Sequence, residues 1–376
     1  MKNRKREEKT SKKQEKKKLH IGLIILAAVL LLVFLPGILF ITKYVKLVDG
    51  IDVNGEIKTV SFGTYPQSLV SDKKTLEMLN ALELDWKNFD DCFAGDDYYG
   101  TMEQTDCMKY ADTEFNGNRY RAVAIEKYRP NSSISPANAE ESLQDDNGFE
   151  LNKTYWFLYE PIDWTLINSS EGLMMSERVL DAMPFNNSFY WIDRDFDKAV
   201  FIDKELSSTK YFFTPANLYK TSSVRKWLNN EFYSLSFNSE EQKLVKSSWH
   251  LTHESSENRK YGLSAMNHDK VFLLSTSDLL RCPTQYLNAL VRFVPVTDYA
   301  RCRGAYSVLR DGNYYTWYWL STPGDSCADV VSAYFIKDVF NFDRQFFYAY
   351  SLGGIRCAAC LKQSALNQLS IGGEVQ

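Results

Sequence analysis

An uncharged apolar run near the N-terminus most strongly constrains what this chain can fold into. The run extends from Ile21 to Ile41 and contains 21 residues without a charged side chain. As a helix with a rise of about 1.5 Å per residue, it would be roughly 31 Å long, which matches the hydrocarbon core of a bilayer. The sequence therefore predicts a transmembrane helix over residues 19–42.

The residues before the run set the expected orientation. Residues 2–18 hold ten Lys or Arg and three Glu, a net charge of +7, whereas the whole chain carries −4. Basic residues beside a membrane helix favour the cytoplasmic side, so we expect no nucleic-acid partner for this arm. The run is longer than a signal-peptide core and lacks a small-residue cleavage site. We therefore expect a single-pass signal-anchor in the cell membrane, with a lipid bilayer around residues 19–42.

The remaining sequence predicts an α+β fold of short antiparallel strands and a few helices. Its aromatic content of 14% is typical of strands with aromatic cross-strand pairs. The predicted organisation is a basic cytoplasmic tail (1–18), the transmembrane helix (19–42), a stalk (43–56), an extracellular domain (57–362) and a flexible tail (363–376). Within the extracellular domain, residues 71–150 form either a lobe or an insertion.

Local patterns place several elements within this domain. The Asn116-Gly117 dipeptide between two alternating segments predicts a β-hairpin whose second strand covers 119–125. Leucines at helical spacing predict a helix over 73–83. An apolar face behind Ser223 predicts another helix, capped by that serine.

The cysteines and histidines give no firm chemical site. Cys357-Ala-Ala-Cys360 lies in an alternating pattern that predicts one strand over 354–361, with the two Cα atoms about 10 Å apart. That separation is too long for a disulfide, and no second Cys pair completes a zinc site. His250 and His253 are sparse candidates for metal ligands. We predict no catalytic residue, no metal site and no cofactor.

Two tryptophans near the C-terminus suggest a ligand-binding surface. Trp317 and Trp319 would share one face of a strand, either as a sugar-stacking platform or, as we favour, as core residues. Together with Asp325 and Arg356 they are the candidate ligand-binding residues.

Several stretches in a fixed order, including SFGTYPQS, SSVRKWLNNEFY and GGIRCAACL, resemble an uncharacterised family of bacterial extracellular and membrane-anchored domains. The resemblance covers most of residues 57–362. The family's usual W-W-L-R-S-P-G becomes YWLSTPG here, so its Arg is missing, and Cys357 replaces a Pro. More distantly, the ending is similar to the C-type-lectin-like superfold, which includes formylglycine-generating domains, and this implies a lectin-like fold.

These observations leave three classes of function open. We favour a non-catalytic binding module for a glycan, a peptide or a partner protein at the surface. The alternatives are a cell-envelope enzyme on a formylglycine-generating-like scaffold and a structural or assembly protein of the envelope.

Overall fold

The computed structural model describes backbone and side chains for most of the chain beyond residue 58. These residues are 59–91, 106–129, 143–186, 217–251, 266–279, 294–324, 349 and 351–366, and the backbone alone is described for 45–47, 93–94, 103–104, 189–192, 199–202, 280–281, 329–333 and 346–348.

Most regular structure in these residues is β-strand. The strands are β1 (Val45–Leu47), β2 (Thr59–Leu69), β3 (Lys87–Asn88), β4 (Phe93–Ala94), β5 (Glu103–Gln104), β6 (Met108–Phe115), β7 (Asn118–Ile125), β8 (Thr154–Asn168), β9 (Leu173–Ser176), β10 (Asp181–Pro184), β11 (Phe189–Ile192), β12 (Ala199–Ile202), β13 (Val245–Lys246), β14 (Ser248–Leu251), β15 (Met266–Asp269), β16 (Val271–Phe272), β17 (Val294–Pro295), β18 (Val308–Arg310), β19 (Asn313–Thr316), β20 (Tyr318–Pro323), β21 (Asp329–Ala333), β22 (Phe346–Tyr348), β23 (Leu352–Ile355) and β24 (Ala358–Leu361).

The helices are short. They are α1 (Lys73–Asn80), α2 (Leu143–Asp146), α3 (Ser223–Trp227), α4 (Tyr233–Ser236), α5 (Ser239–Leu244), α6 (Thr276–Arg281) and α7 (Asp298–Cys302), with a 3-10 turn at Tyr219–Thr221 and a π-helical turn at Leu228–Phe232 between α3 and α4.

The long strand β8 organises the main sheet, whose central path runs β13-β24-β9-β8-β7-β6-β3. One edge of β8 pairs with β7 near its start and with β9 near its end. The other edge pairs with β2 from Thr59 opposite Thr165 to Leu69 opposite Phe157. These pairings are antiparallel, so one 15-residue strand joins three others without a crossover helix.

The main sheet is covered on both faces. Alternation along β8 places Trp156 and Phe157 on opposite sides. Trp156 packs with Leu79 of α1 in a small outer cluster, and its indole N–H donates to Asn80 Oδ1 at 2.8 Å. Phe157 belongs to the large core, which extends to the second sheet. Because residues on both faces of the sheet are buried, the sequence of β8 is largely apolar.

A second sheet, in the order β10-β23-β20-β21-β22, packs on this core. Its β23 pairs antiparallel with β10 and, at Gly354 opposite Tyr318, parallel with β20. Gly353 lies under the indole of Trp319, where a side chain would overlap the ring. The two C-terminal strands therefore depend on partners far earlier in the chain.

The hairpin prediction is confirmed. β6 and β7 pair in register around Asn116-Gly117, whose φ angles of 50° and 77° suit the tight turn of a two-residue hairpin. Helix α1 begins at Lys73 as predicted and ends at Asn80, short of residue 83. The helix at 223 is capped by Ser222 rather than Ser223, because the Ser222 hydroxyl accepts from the Arg225 N–H.

The single strand predicted over 354–361 is wrong. β23 ends at Ile355 and β24 begins at Ala358, so the chain leaves one sheet and enters the other between them. Cys357 lies in this junction, and both Cys357 and Cys360 are free, buried thiols.

The predicted fold class is also corrected. The described residues form mainly β-sheet with a few short helices, rather than an α+β, C-type-lectin-like domain behind a transmembrane helix. No helix in the described part of the chain is long and apolar enough to cross a membrane. The longest single helix among the described residues, α1, has eight residues, or about 12 Å at 1.5 Å per residue.

This finding contradicts the predicted transmembrane helix. The membrane, signal-anchor and single-pass assignments that depended on it are withdrawn. Residues 19–42, where that helix was placed, lie outside the described residues, as do the predicted tail at 1–18 and most of the predicted stalk.

Substitution of two glycines tests how closely the turn between β8 and β9 packs on β24. Gly172 and Gly117 both have positive φ angles, 73° and 77°, so alanine is strained at either position. A Cβ at Gly172 would also overlap the carbonyl of Leu361, whereas nothing lies within 4 Å at Gly117. We expect Gly172→Ala to lower the free energy of unfolding by about 1–3 kcal/mol more than Gly117→Ala in urea denaturation. Equal losses would contradict this packing.

Candidate functional site

A cleft of about 470 Å³ opens where the edge of the main sheet faces the segment α3–π turn–α4. The sheet contributes side chains from β2, β3, β6 and β7, and the residues just after β3 form one rim. β10 and α7 contribute the floor. The cleft therefore collects residues from six regions of the sequence, a common arrangement for a binding site.

The floor is a buried ionic network centred on Arg303. Its guanidinium donates to Asp91 Oδ2 at 2.5 Å and to Asp181 Oδ1 at 3.1 Å. Arg129 approaches Asp91 from behind the cleft, at 3.0 Å from the same Oδ2 atom. All four side chains are at most 6% exposed. Since buried charges require partners, the four residues depend on one another.

Backbone groups complete this network. Arg129 donates to the carbonyls of Ala182 and Arg303 at 3.0 Å and 2.8 Å. The Tyr65 hydroxyl donates to Asp181 Oδ2 at 2.6 Å. Burial and the negative charge of Asp181 together raise the pKa of Tyr65 well above its usual value. The floor therefore presents a neutral phenol and paired charges.

Opposing forces act on the floor carboxyl of Asp91. Burial disfavours its ionised form, but the guanidinium groups of Arg129 and Arg303 outweigh this and lower its pKa. Its second oxygen, Oδ1, is buried and has no hydrogen-bond partner among the described residues. Asp91 therefore holds one acceptor that the described residues leave unsatisfied.

A second ion pair forms one wall. Asp112 of β6 and Arg121 of β7 lie directly opposite in the hairpin register. Arg121 donates two bonds to the two oxygens of Asp112, at 2.8 Å and 2.7 Å, and a third to the Tyr299 hydroxyl at 3.1 Å. Tyr159 donates to Asp112 at 2.8 Å. This two-point geometry fixes both side chains.

Aromatic rings line the space between the charges. Phe89 lies 3.8 Å from the Arg303 guanidinium and 4.7 Å from the ring of Tyr110. Tyr110 in turn lies 4.4 Å from the Arg121 guanidinium. On the opposite side, half-buried Trp227 packs on Phe232 at 5.4 Å. Half-buried Tyr110 and Trp227 are the rings whose surface is available to a ligand.

Two carboxyl groups at the mouth differ from those of the floor. Asp90 and Glu231 are exposed residues, and neither forms an ion pair in the described part of the chain. Glu231 is partly removed from water by the cleft walls, and this, with the charges of Asp90 and Asp91, raises its pKa to about 7. Partial removal from water, and then Asp91, also raise the pKa of Asp90. Lys226 opposes both shifts.

The π-helical turn positions Glu231. Asn229 within the turn donates to the Val271 carbonyl at 2.9 Å and accepts from the Lys270 N–H at 2.9 Å, which ties the turn to β16. Because a π-helical turn contains more residues than an α-helical turn, the residues after Leu228 are displaced from the positions that a continued α3 would give them. π-Helical turns of this kind occur frequently at functional sites.

The residues predicted from sequence lie elsewhere. Trp317 and Trp319 are 6% and 0% exposed, with their rings 4.9 Å apart in a T-shaped contact, and the Trp319 indole donates to the Met183 carbonyl at 3.1 Å. Arg356 is 3% exposed and donates to the Ser176 carbonyl at 2.7 Å. Asp325 lies outside the described residues. The structure brings the two tryptophans together in the core, and neither they nor Arg356 line the cleft.

The side chain of His250 is likewise held by contacts within the fold. Its Nε2 atom lies 2.8 Å from Asp269 Oδ2, and Arg225 donates to both oxygens of the same carboxylate. No group of three or more potential metal ligands occurs within the described ranges. His253 is outside them.

The lowered pKa of Asp112 gives a stability prediction. Partial burial opposes its ionisation, but the hydrogen bonds and charge of Arg121 prevail. A carboxyl with a lowered folded-state pKa stabilises the fold above its unfolded value of about 3.9, and this contribution is lost as the pH falls through the folded value. We expect Asp112→Asn to flatten the fall in unfolding free energy below about pH 4, measured by urea denaturation. Asp146→Asn, at an exposed residue of α2, should keep the wild-type slope; a wild-type slope in Asp112→Asn would contradict the prediction.

Comparison with known proteins gives one partial match. No curated protein and no solved structure matches the chain, so the comparisons show no link to C-type lectins or to formylglycine-generating enzymes. A family model described as "Domain of unknown function (DUF6273)" matches residues 197–363. That stretch supplies Trp227, Glu231, Tyr299 and Arg303 to the cleft. The resemblance to an uncharacterised domain is therefore found for the C-terminal part of the chain.

Proposed function

We propose that the chain is a non-catalytic binding module whose cleft takes a saccharide. The observation that carries this proposal is the combination of two half-buried rings, Tyr110 and Trp227, with the fixed ion pairs Asp112–Arg121 and Asp91–Arg303. A sugar ring has apolar C–H faces and a rim of hydroxyl groups. It therefore needs both an aromatic surface and directional polar partners.

The polar partners are already held in place. Arg121 and Arg303 are about 95% buried, and each is fixed by two or more hydrogen bonds to other side chains. Little side-chain entropy is lost when such groups receive a ligand, so the cleft is pre-organised. A flat protein interface does not require this arrangement, which favours a small ligand over a partner protein.

The aromatic surface of the cleft gives a direct test. Trp227→Leu keeps apolar volume but removes the ring, so we expect saccharide affinity to fall about two- to twelvefold, given the roughly 0.5–1.5 kcal/mol of an aromatic contact. Affinity is measured by calorimetry, after a glycan array has selected the oligosaccharide. Trp249→Leu is the matched control, because Trp249 is 68% exposed and does not line the cleft. Equal losses in both variants, or an array without any bound glycan, would refute the proposal.

A glycoside hydrolase is the second candidate, and Glu231 is the observation that favours it. A carboxyl group with a pKa of about 7 beside a second carboxyl, Asp90, has the character of a general acid at neutral pH. In that case Glu231 would protonate the leaving oxygen, and Asp90 would act as the base or nucleophile.

Product analysis separates the two candidates. The bound oligosaccharide is incubated with the full chain and then examined by chromatography. A binding module leaves it intact. Cleavage that disappears in Glu231→Gln, and that survives in Glu77→Gln on the exposed side of α1, would establish the enzyme instead. We expect no cleavage.

A further inference from the structure

The charges around the cleft indicate what kind of saccharide it takes. Five carboxyl groups line it, those of Asp90, Asp91, Asp112, Asp181 and Glu231, against three basic side chains, those of Lys87, Arg121 and Arg303. The lining therefore carries a formal charge of −2 when all groups are ionised.

The imbalance lies at the mouth of the cleft. Asp91, Asp112 and Asp181 each form an ion pair with a buried arginine, at 2.5 to 3.1 Å. Asp90 and Glu231 form none within the described residues. Lys87, which lines the cleft, and Lys226, whose charge acts on both carboxyl groups, are exposed. The two uncompensated carboxyl groups face the same space as Trp227.

We propose that the cleft selects a saccharide that carries a protonated amine, with the ammonium group received by Glu231 and Asp90 beside Trp227. This inference rests on the proposed saccharide function and names the substrate class of the same site.

Charge complementarity and two observations support it. A cationic nitrogen is attracted both to carboxylates and to the face of an aromatic ring, whether or not it carries N–H groups. Asp91, which is 5% exposed and lines the cleft, keeps its buried Oδ1 atom without a hydrogen-bond partner in the described part of the chain. The described residues offer no cluster of three metal ligands, which favours an organic cation over a metal ion.

The raised pKa values are consistent with this arrangement. Partial removal from water is the largest cause of the raised pKa of Glu231, followed by the negative charges of Asp90 and Asp91, and Lys226 opposes the shift. The pKa of Asp90 is raised by partial removal from water and by Asp91, against the opposing charges of Arg303 and Lys226. A ligand cation relieves the repulsion among these carboxylates, so its binding favours the ionised form of Glu231. Affinity for the cation should therefore rise with pH.

The test compares two oligosaccharides of equal length whose amine substituent is cationic in one and neutral in the other. One is a glucosamine oligomer with N,N,N-trimethylated amines, which remain positive at every pH, and the other is the neutral N-acetylated oligomer of equal length. A lysine oligomer supplies positive charge without a sugar ring. Calorimetry with the full chain at pH 8 should show at least tenfold tighter binding of the charged sugar than of either other ligand.

Two carboxyl variants and the pH dependence of affinity test which residues bind the cationic group. Glu231→Gln and Asp90→Asn should each reduce the ratio of charged-sugar affinity to neutral-sugar affinity several-fold, because each removes one carboxylate from the cleft. Glu77→Gln is the matched control, with no change expected. Since Glu231 titrates near 7, the affinity of wild type for the charged sugar should rise up to about tenfold from pH 6 to pH 8.

The possible failures have different meanings. Equal affinity for the two sugars would overturn this inference and leave saccharide binding standing. No affinity for either sugar would overturn both proposals. Binding of the lysine oligomer as tightly as the charged sugar would overturn the saccharide assignment, because the cleft would then recognise charge without the ring. A pH-independent preference, or one that persists in Glu231→Gln and Asp90→Asn, would overturn the assigned carboxyl groups.

Discussion

The buried guanidinium of Arg303 holds together the parts of the chain from which the cleft is built. It joins Asp91, 212 positions earlier in the sequence, to Asp181 of β10, while Arg129 binds Asp91 from behind. Removing one partner from such a buried set leaves an uncompensated charge and costs about 3–5 kcal/mol. The network therefore fixes the relative positions of the rim after β3, the floor strand β10 and the end of α7.

The carboxyl groups at the bottom of the cleft also differ from those at its mouth in how they are paired. Arginines neutralise the carboxylates of the floor and wall, where burial would otherwise make ionisation unfavourable. At the mouth, Asp90 and Glu231 have no such partners within the described residues, and water sustains their partial charge. The cleft therefore has carboxyl groups without arginine partners at its mouth, among the described residues, and hydrogen-bonded ion pairs below them.

Part of this site could be predicted from sequence. Once Asn116-Gly117 is recognised as a two-residue turn, counting outwards places Asp112 opposite Arg121, and the wall ion pair follows. The Asp91–Arg303 contact could not be found in this way, because no local pattern links residues so far apart. The π-helical turn at Glu231 also has no signature in its LNNEF sequence. The spacing of Trp317 and Trp319 left open a platform or core residues, with core favoured, and the packing of β20 against β23 uses those rings to fill the core.

The family match covers only some of the residues that line the cleft. Residues 197–363 contain Glu231, Trp227 and Arg303, whereas Asp90, Asp91 and Asp181 precede them. The same division occurs in the sheets, since β23 pairs with β10 and β24 pairs with β9. A chain reduced to the matched stretch would leave these strand edges unpaired and Arg303 without its carboxylates. The ligand recognition that we propose for this cleft therefore depends on residues outside the matched stretch, and the two carboxyl groups of Asp90 and Glu231 lie on opposite sides of its boundary.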